Sequence, residues 1–188
     1  MSKKTIDKIK VIDDFLPEDL FKRILLISLK LPWHYGWNTK EDPLNLYWHH
    51  EVGFGNKSNK DDISKNVIKH PIKEFSEIQS FLKKNLMSES GKILRFYLNA
   101  HTYGTDGSPH TDSDSSEELT AVLYLTNDWK INFSGETVIF DEFGEIIKSI
   151  LPKKNRLLLF PSNLKHQPRP LSKVYRGLRV VLVIKFSP

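Results

Sequence analysis

Apolar residues in the first ninety positions recur at helical spacing in two places. In "DDFLPEDLFKRILLISLKLP", Leu20, Phe21, Ile24, Leu25 and Ile27 share one face. Pro17 stands at the first turn, Glu18 and Asp19 follow it, and Pro32 stops the run, the order expected of a helix start and end. In "HPIKEFSEIQSFLKKNL", Ile72, Phe75, Ile78, Leu82 and Leu86 repeat the pattern up to Gly91. Beyond Gly91 the texture changes. "KILRFYLNA", "LTAVLYLT", "ETVIFD", "EIIKSILP", "RLLLFP" and "LRVVLVIKF" are short runs rich in β-branched and aromatic residues. Turn residues separate them, among them Gly104 to Gly107, Ser134-Gly135, Gly144, Pro152, Pro161 and Pro168 to Pro170. Many short strands with no helical pattern between them predict a mainly β fold, a jelly roll, with the N-terminal helices packed on one sheet in an α+β arrangement.

The 188 residues suffice for a single domain with a full core. No repeat or linker divides them, so 1–90 reads as a helical N-terminal part and 91–188 as the jelly-roll core. A hydrophobic fraction of 39% fits a soluble protein. No apolar run is long enough to span a membrane, and "MSKKTIDKIK" lacks the apolar core of a signal peptide. A cytoplasmic location is the default expectation. The absence of cysteine excludes disulfides, zinc fingers and thiol catalysis, so a metal would be held by His, Asp or Glu. The net charge of +5 comes from scattered lysines, as in "NKSNKDDISKNVIKH". Scattered charge reads as a solvated surface rather than a nucleic-acid stripe.

The candidate chemistry lies in "GSPHTDSDSS". On a strand, residues i and i+2 face the same way, so His110 and Asp112 could present an imidazole and a carboxylate to one ion. Among the other histidines, His166 has the best context, just after the buried-looking run "RLLLFPSNLK". Two histidines and a carboxylate form the facial set used by non-haem Fe(II) oxygenases. Asp114 falls in "SDSS", where the strand is expected to end. His49-His50-Glu51 is disfavoured because neighbours on a strand point to opposite faces. Taken alone, a His-x-Asp triplet is common and usually structural, so the spacing does not decide the question.

Several segments together resemble the Fe(II)- and 2-oxoglutarate-dependent oxygenases, in particular their prolyl 4-hydroxylase-like branch. These are "RFYLNAHTYGTDGSPHTDS", "TAVLYLTNDW", "SGETVIFD", "RLLLFPSNLKHQPRPL" and "YRGLRVVLVIKF", in the family's order from about Arg95 to Phe186. Ser134 replaces the first glycine of the family's Gly-Gly-Glu-Thr turn. "IKVIDDFLPEDLFKRI" resembles the opening strand and helix, less distinctively. The resemblance implies a double-stranded β-helix, with Fe(II) bound by His110, Asp112 and His166 as the catalytic centre. It implies 2-oxoglutarate as co-substrate, O2, and ascorbate as a reductant.

The far carboxylate of 2-oxoglutarate needs a fixed cation, and the planar fork of arginine suits it. The family's usual spacing after the distal histidine favours Arg176. The local Gly-x-Arg pattern favours Arg179, which would point inward with Val181 and Val183. Tyr124 matches a tyrosine that binds the same carboxylate in prolyl hydroxylases. Tyr97 and Tyr103 are further pocket candidates, with ordinary core packing as the alternative for each tyrosine.

The resemblance implies hydroxylation coupled to conversion of 2-oxoglutarate to succinate and CO2. A prolyl residue in a peptide or protein is the first expected substrate, and a free amino acid or small metabolite the second. The aromatic stretch "LPWHYGWNTKEDPLNLYWHH" reads as a polar, loop-like rim for substrate, or else as cover for the open side of the barrel. Nucleic-acid dealkylation is disfavoured, because that branch carries a second arginine where this chain has Lys185. Retention of Asp112 argues against a halogenase. A non-catalytic jelly-roll binding module is the competing class. The sequence leaves oligomeric state open.

Overall fold

Strand alternation builds two faces on one sheet, and those faces organise the molecule. The computed structural model describes residues 6–39, 42–54 and 61–188. In chain order the elements are β1 (Lys10–Ile12), α1 (Glu18–Ser28), β2 (His34–Thr39), β3 (Asp42–Phe54), α2 (Ser64–Ile68), α3 (Lys73–Leu86), β4 (Lys92–His101), β5 (Leu119–Leu125), β6 (Thr137–Phe140), β7 (Ile146–Ile150), β8 (Leu157–Pro161), β9 (His166–Pro168) and β10 (Arg179–Ser187). A major sheet runs β1-β8-β5-β10-β4-β3-β2, and a minor sheet runs β7-β6-β9. All strand pairings are antiparallel. The mainly β, jelly-roll character expected from the strand pattern is present.

On one face of the major sheet, Phe96, Leu98 and Ala100 of β4, Ala121, Leu123 and Leu125 of β5, and Val180, Leu182 and Ile184 of β10 join a single apolar cluster. Phe21 and Ile24 of α1 and Phe75, Ile78 and Leu82 of α3 belong to the same cluster. Each large side chain buried this way contributes about 1.5–3 kcal/mol. Arg23 ties the two helices, donating to Glu74 at 2.9 Å and to Glu77 at 2.6 Å. The opposite face carries Tyr97, Val122, Tyr124, Leu158, Phe160, Val181 and Val183, clustered with Ile139 of β6 and Ile150 of β7. The site lies between the sheets on this second face. β10 is the central strand, paired with both β4 and β5. It is covered on both faces, which is why it reads as an unbroken apolar run.

Six runs predicted as strands are β4, β5, β6, β7, β8 and β10. Pro17 directly precedes α1 rather than opening it. The stretch 34–54 departs from its loop-like reading. It forms the β2–β3 hairpin, which widens the major sheet beside β4. Within it Tyr47 and His49 face the site side, against His101 and Asn99. Trp48 and His50 face the helices, where Trp48 packs on the helix-side cluster and His50 lies near Phe75. Rings occupy both faces, so no apolar–polar alternation marks the strand. The basic residues 1–5 and 56–60 lie outside the described residues. Among the described residues no helix is long and apolar enough to cross a membrane.

Candidate metal centre

His110 and Asp112 come from the loop that leaves β4. A turn at 102–105 reverses the chain, closed by Thr105 Oγ1, which accepts from Thr102 N at 2.9 Å. The loop is then stitched along β9 and the end of β8. Gly107 N donates to Pro168 O, His110 and His166 exchange backbone bonds of 3.0 and 2.9 Å, and Asp112 N donates to Ser162 O at 2.9 Å. Gly107 is required there, since a Cβ would stand 2.6 Å from Pro168 Cγ. This pairing brings the two imidazoles together, with ring centroids 4.4 Å apart and planes inclined by 53°.

The ligand atoms of His110, Asp112 and His166 all lie within 4.8 Å of one another. His110 Nε2 stands 3.6 Å from Asp112 Oδ1, and His166 Nε2 stands 3.6 Å from Asp112 Oδ2. The backbone fixes both tautomers. His110 Nδ1 lies 2.8 Å from Ser108 O and His166 Nδ1 lies 3.0 Å from Leu164 O. A carbonyl can only accept, so each Nδ1 carries the proton and each Nε2 keeps its lone pair for the centre. Asp112 is held on both oxygens. Lys185 Nζ donates to Oδ1 at 2.5 Å, and Thr120 Oγ1 donates to Oδ2 at 2.7 Å, backed by Ser162 Oγ at 2.9 Å.

Burial on its own would raise the Asp112 pKa. The Lys185 ammonium and then the two imidazoles outweigh it and hold the carboxyl well below the usual range. Burial drives the His166 imidazole down to about 4, so it is a neutral donor at pH 7. For His110, burial is overcome by the adjacent Asp112 carboxylate, and the ring lies above its ordinary value. A fixed carboxylate and two imidazoles with converging lone pairs suit a divalent iron.

The cluster opens into a pocket shared with Tyr97, Asn99, Thr137 and Val183. Its far wall carries Arg179, 1% exposed. Arg179 donates to Thr137 Oγ1 at 3.1 Å, lies over the Tyr124 ring at 5.5 Å, and leaves Nε without a partner. Among the described residues no carboxylate pairs with this guanidinium, and burial lowers its pKa. A buried cation without a counter-ion is costly, so the wall is built for an anion. Tyr124 OH donates to Thr137 Oγ1 at 2.7 Å beside it. Tyr124 itself is fully buried behind the lining, whereas Tyr97 lines the pocket, with Arg95 over its ring at 5.0 Å. Two residues named from the sequence lie elsewhere. Arg176 is exposed on the approach to β10, and Tyr103 is 56% exposed; neither lines the pocket. Asp114 is exposed in the loop beyond Asp112.

Lys185, Thr120, Thr137 and His101 were not singled out as site residues. Lys185 had a signal. It shares strand parity with Arg179, Val181 and Val183, so an otherwise apolar strand turns a lysine toward the site. Thr137 and His101 belong to the pocket lining but carry no spacing that marks them.

A mainly β fold thus carries a His–Asp–His cluster that could hold a metal ion, in one pocket with a buried arginine. Residues 97–184, which contain His110, Asp112, His166 and Arg179, match the family model described as the 2OG-Fe(II) oxygenase superfamily. That segment is similar to the superfamily, and the structural neighbours of the chain include prolyl hydroxylases. An oxidoreductase of the 2OG-Fe(II) oxygenase family from Burkholderia pseudomallei superposes with a TM-score of 0.73 at 13% identity, covering 96% of this chain and 85% of that one. A Pseudomonas putida prolyl-4-hydroxylase gives 0.65 at 16% identity, covering 98% of each chain. A prolyl hydroxylase from Trichoplax adhaerens, in complex with a hypoxia inducible factor oxygen degradation domain peptide fragment, gives 0.61 at 16%, covering 96% and 83%. At these identities the likeness is one of fold. No curated protein matches the chain.

Proposed function

We propose that this chain is a 2-oxoglutarate-dependent dioxygenase that hydroxylates a prolyl residue in a peptide or protein. One observation carries the reading. The converging Nε2 atoms and Asp112 share a pocket with a buried arginine that has no carboxylate ion-paired to it among the described residues. His110, Asp112 and His166 would hold Fe(II). Arg179 would take the far carboxylate of 2-oxoglutarate, with Tyr124 and Thr137 as its hydroxyl neighbours. When bound, iron with 2-oxoglutarate and O2 supplies conversion of a substrate C–H to C–OH, with release of succinate and CO2.

The protein's own share is positional. The loop carbonyls of Ser108 and Leu164 orient the imidazoles. Lys185 and Thr120 keep Asp112 ionised and in place. The apolar side chains of Val122, Val181 and Val183 line the pocket and exclude water. Tyr97 closes the wall next to the metal ligands.

The prolyl assignment draws support from the prolyl hydroxylases among the structural neighbours. It also draws on the ring-rich face of the β2–β3 hairpin. Trp37 stacks on His49 at 4.0 Å, and His49 bonds Asn99 of the pocket wall. Rings of this kind suit a pyrrolidine within a peptide. The test combines the protein, Fe(II), ascorbate and 2-oxoglutarate with a panel of proline-containing peptides and free amino acids. Mass spectrometry should find one added oxygen on a prolyl residue together with succinate. Oxygen appearing on free amino acids alone would move the substrate to the metabolite class.

A further inference from the structure

His101 ends β4 as the cross-strand partner of Arg179 on β10. Directly opposed residues on neighbouring strands project to the same face, and both side chains line the pocket. The imidazole is 3% exposed. It stacks on Tyr47 with centroids 4.9 Å apart and planes at 29°, so its plane is fixed from the hairpin side. Both of its ring nitrogens are buried, and among the described residues neither has a hydrogen-bond partner.

A neutral imidazole always carries one N–H and one lone pair. Folded proteins pair nearly all such buried groups. Here two unsatisfied donors stand on adjacent strands of one pocket: the ring of His101 and Nε of Arg179. Burial, reinforced by the nearby Arg179 charge, holds His101 down to about 3. The ring therefore offers a donor without adding a second buried cation. Neither nitrogen is engaged, so either tautomer is open to it.

Building on the assignment of Arg179 to 2-oxoglutarate, we propose that His101 is a second anchor of that co-substrate, one ring N–H donating to the far carboxylate beside the guanidinium. His101 thereby helps the pocket select a dicarboxylate over a keto acid that lacks the second carboxylate.

The test measures equilibrium binding by calorimetry on Mn(II)-loaded protein without O2, using 2-oxoglutarate and 2-oxopentanoate, the same keto acid lacking the far carboxylate. Hydrogen bonds to charged groups set the expected size. His101→Phe should weaken 2-oxoglutarate by about tenfold or more and leave 2-oxopentanoate unchanged. His101→Gln, which keeps an N–H, should stay within about threefold of wild type for both. If His101→Phe does not fold, His101→Met takes its place and must show the same ligand-dependent loss. Unchanged 2-oxoglutarate affinity would overturn the assignment. So would an equal loss for both ligands, which marks a packing role. Arg179→Met separates the two levels. If it loses 2-oxoglutarate selectively while His101→Phe does not, His101 alone is misassigned. If it changes neither ligand, the reading of the pocket itself fails.

Discussion

Replacing Lys185 with Met removes the cation that faces Asp112 while keeping most of the side-chain volume. In the native protein Nζ lies 2.5 Å from Oδ1, and the two side chains are 7% and 3% exposed. Breaking a buried pair from one side leaves an uncompensated charge and costs about 3–5 kcal/mol. The bond from Thr120 to Oδ2 survives the substitution. For a domain of this size each kcal/mol moves Tm by about 2–4 °C, which gives a fall of about 6–20 °C in metal-free protein at pH 7. Asp112 has a folded pKa below its unfolded value. Its stabilisation is therefore present above the ordinary carboxylate pKa of 3.8 and is lost as pH falls through the folded value. The difference between wild type and variant should accordingly shrink in acid. Saturating Mn(II) supplies a replacement positive charge, so the metal should raise Tm more in Lys185→Met than in wild type. Calorimetric melts with chelator and with Mn(II), at pH 7 and in acid, check all three points. A metal-free fall of less than about 2 °C would refute the reasoning, since desolvation of Lys185 would then offset its attraction to Asp112.

Two other perturbations probe the frame around the site. Gly107→Ala should push Pro168 away from the ligand loop, destabilise the fold by about 1–3 kcal/mol and weaken Mn(II) binding; titration of metal into the folded variant checks it, and wild-type affinity would show that the loop yields without cost. Asp13 is held at about 2 by its hydrogen bonds from Arg156 and Lys153, so its stabilising contribution should be full above about pH 4 and disappear toward pH 2. Carboxyl NMR should show that midpoint in wild type, and an Asp13 that titrates at the ordinary value would mean the exposed pairs do not form in solution.

Fold and site were legible to different depths. β5 and β10 announce themselves because a strand covered on both faces reads as an unbroken apolar run. β2 and β3 do not, since Tyr47 and His49 on one face and Trp48 and His50 on the other give no contrast between core and solvent. His110, Asp112 and His166 were found through ordered resemblance rather than spacing. Asp112 lies outside any regular strand, and a backbone pairing between remote segments brings His166 to it. Strand parity places Arg179 rather than Arg176 on the pocket face, and the same parity brings Lys185 to Asp112. His101 lacked any such signal. Its meaning rests on a tertiary fact, the absence of partners for both nitrogens, which no sequence pattern encodes.

The central claim is that one Fe(II), held by His110, Asp112 and His166, drives turnover of 2-oxoglutarate in this pocket. Succinate formation tests it most directly, measured with and without Fe(II) and O2, for wild type and for Asp112→Ala shown to be folded by circular dichroism. Wild-type protein should form succinate only when both Fe(II) and O2 are present. Asp112→Ala should form none above the chelator-treated background. Wild-type turnover by Asp112→Ala, or failure of the native protein to bind 2-oxoglutarate and form succinate at all, would contradict the account.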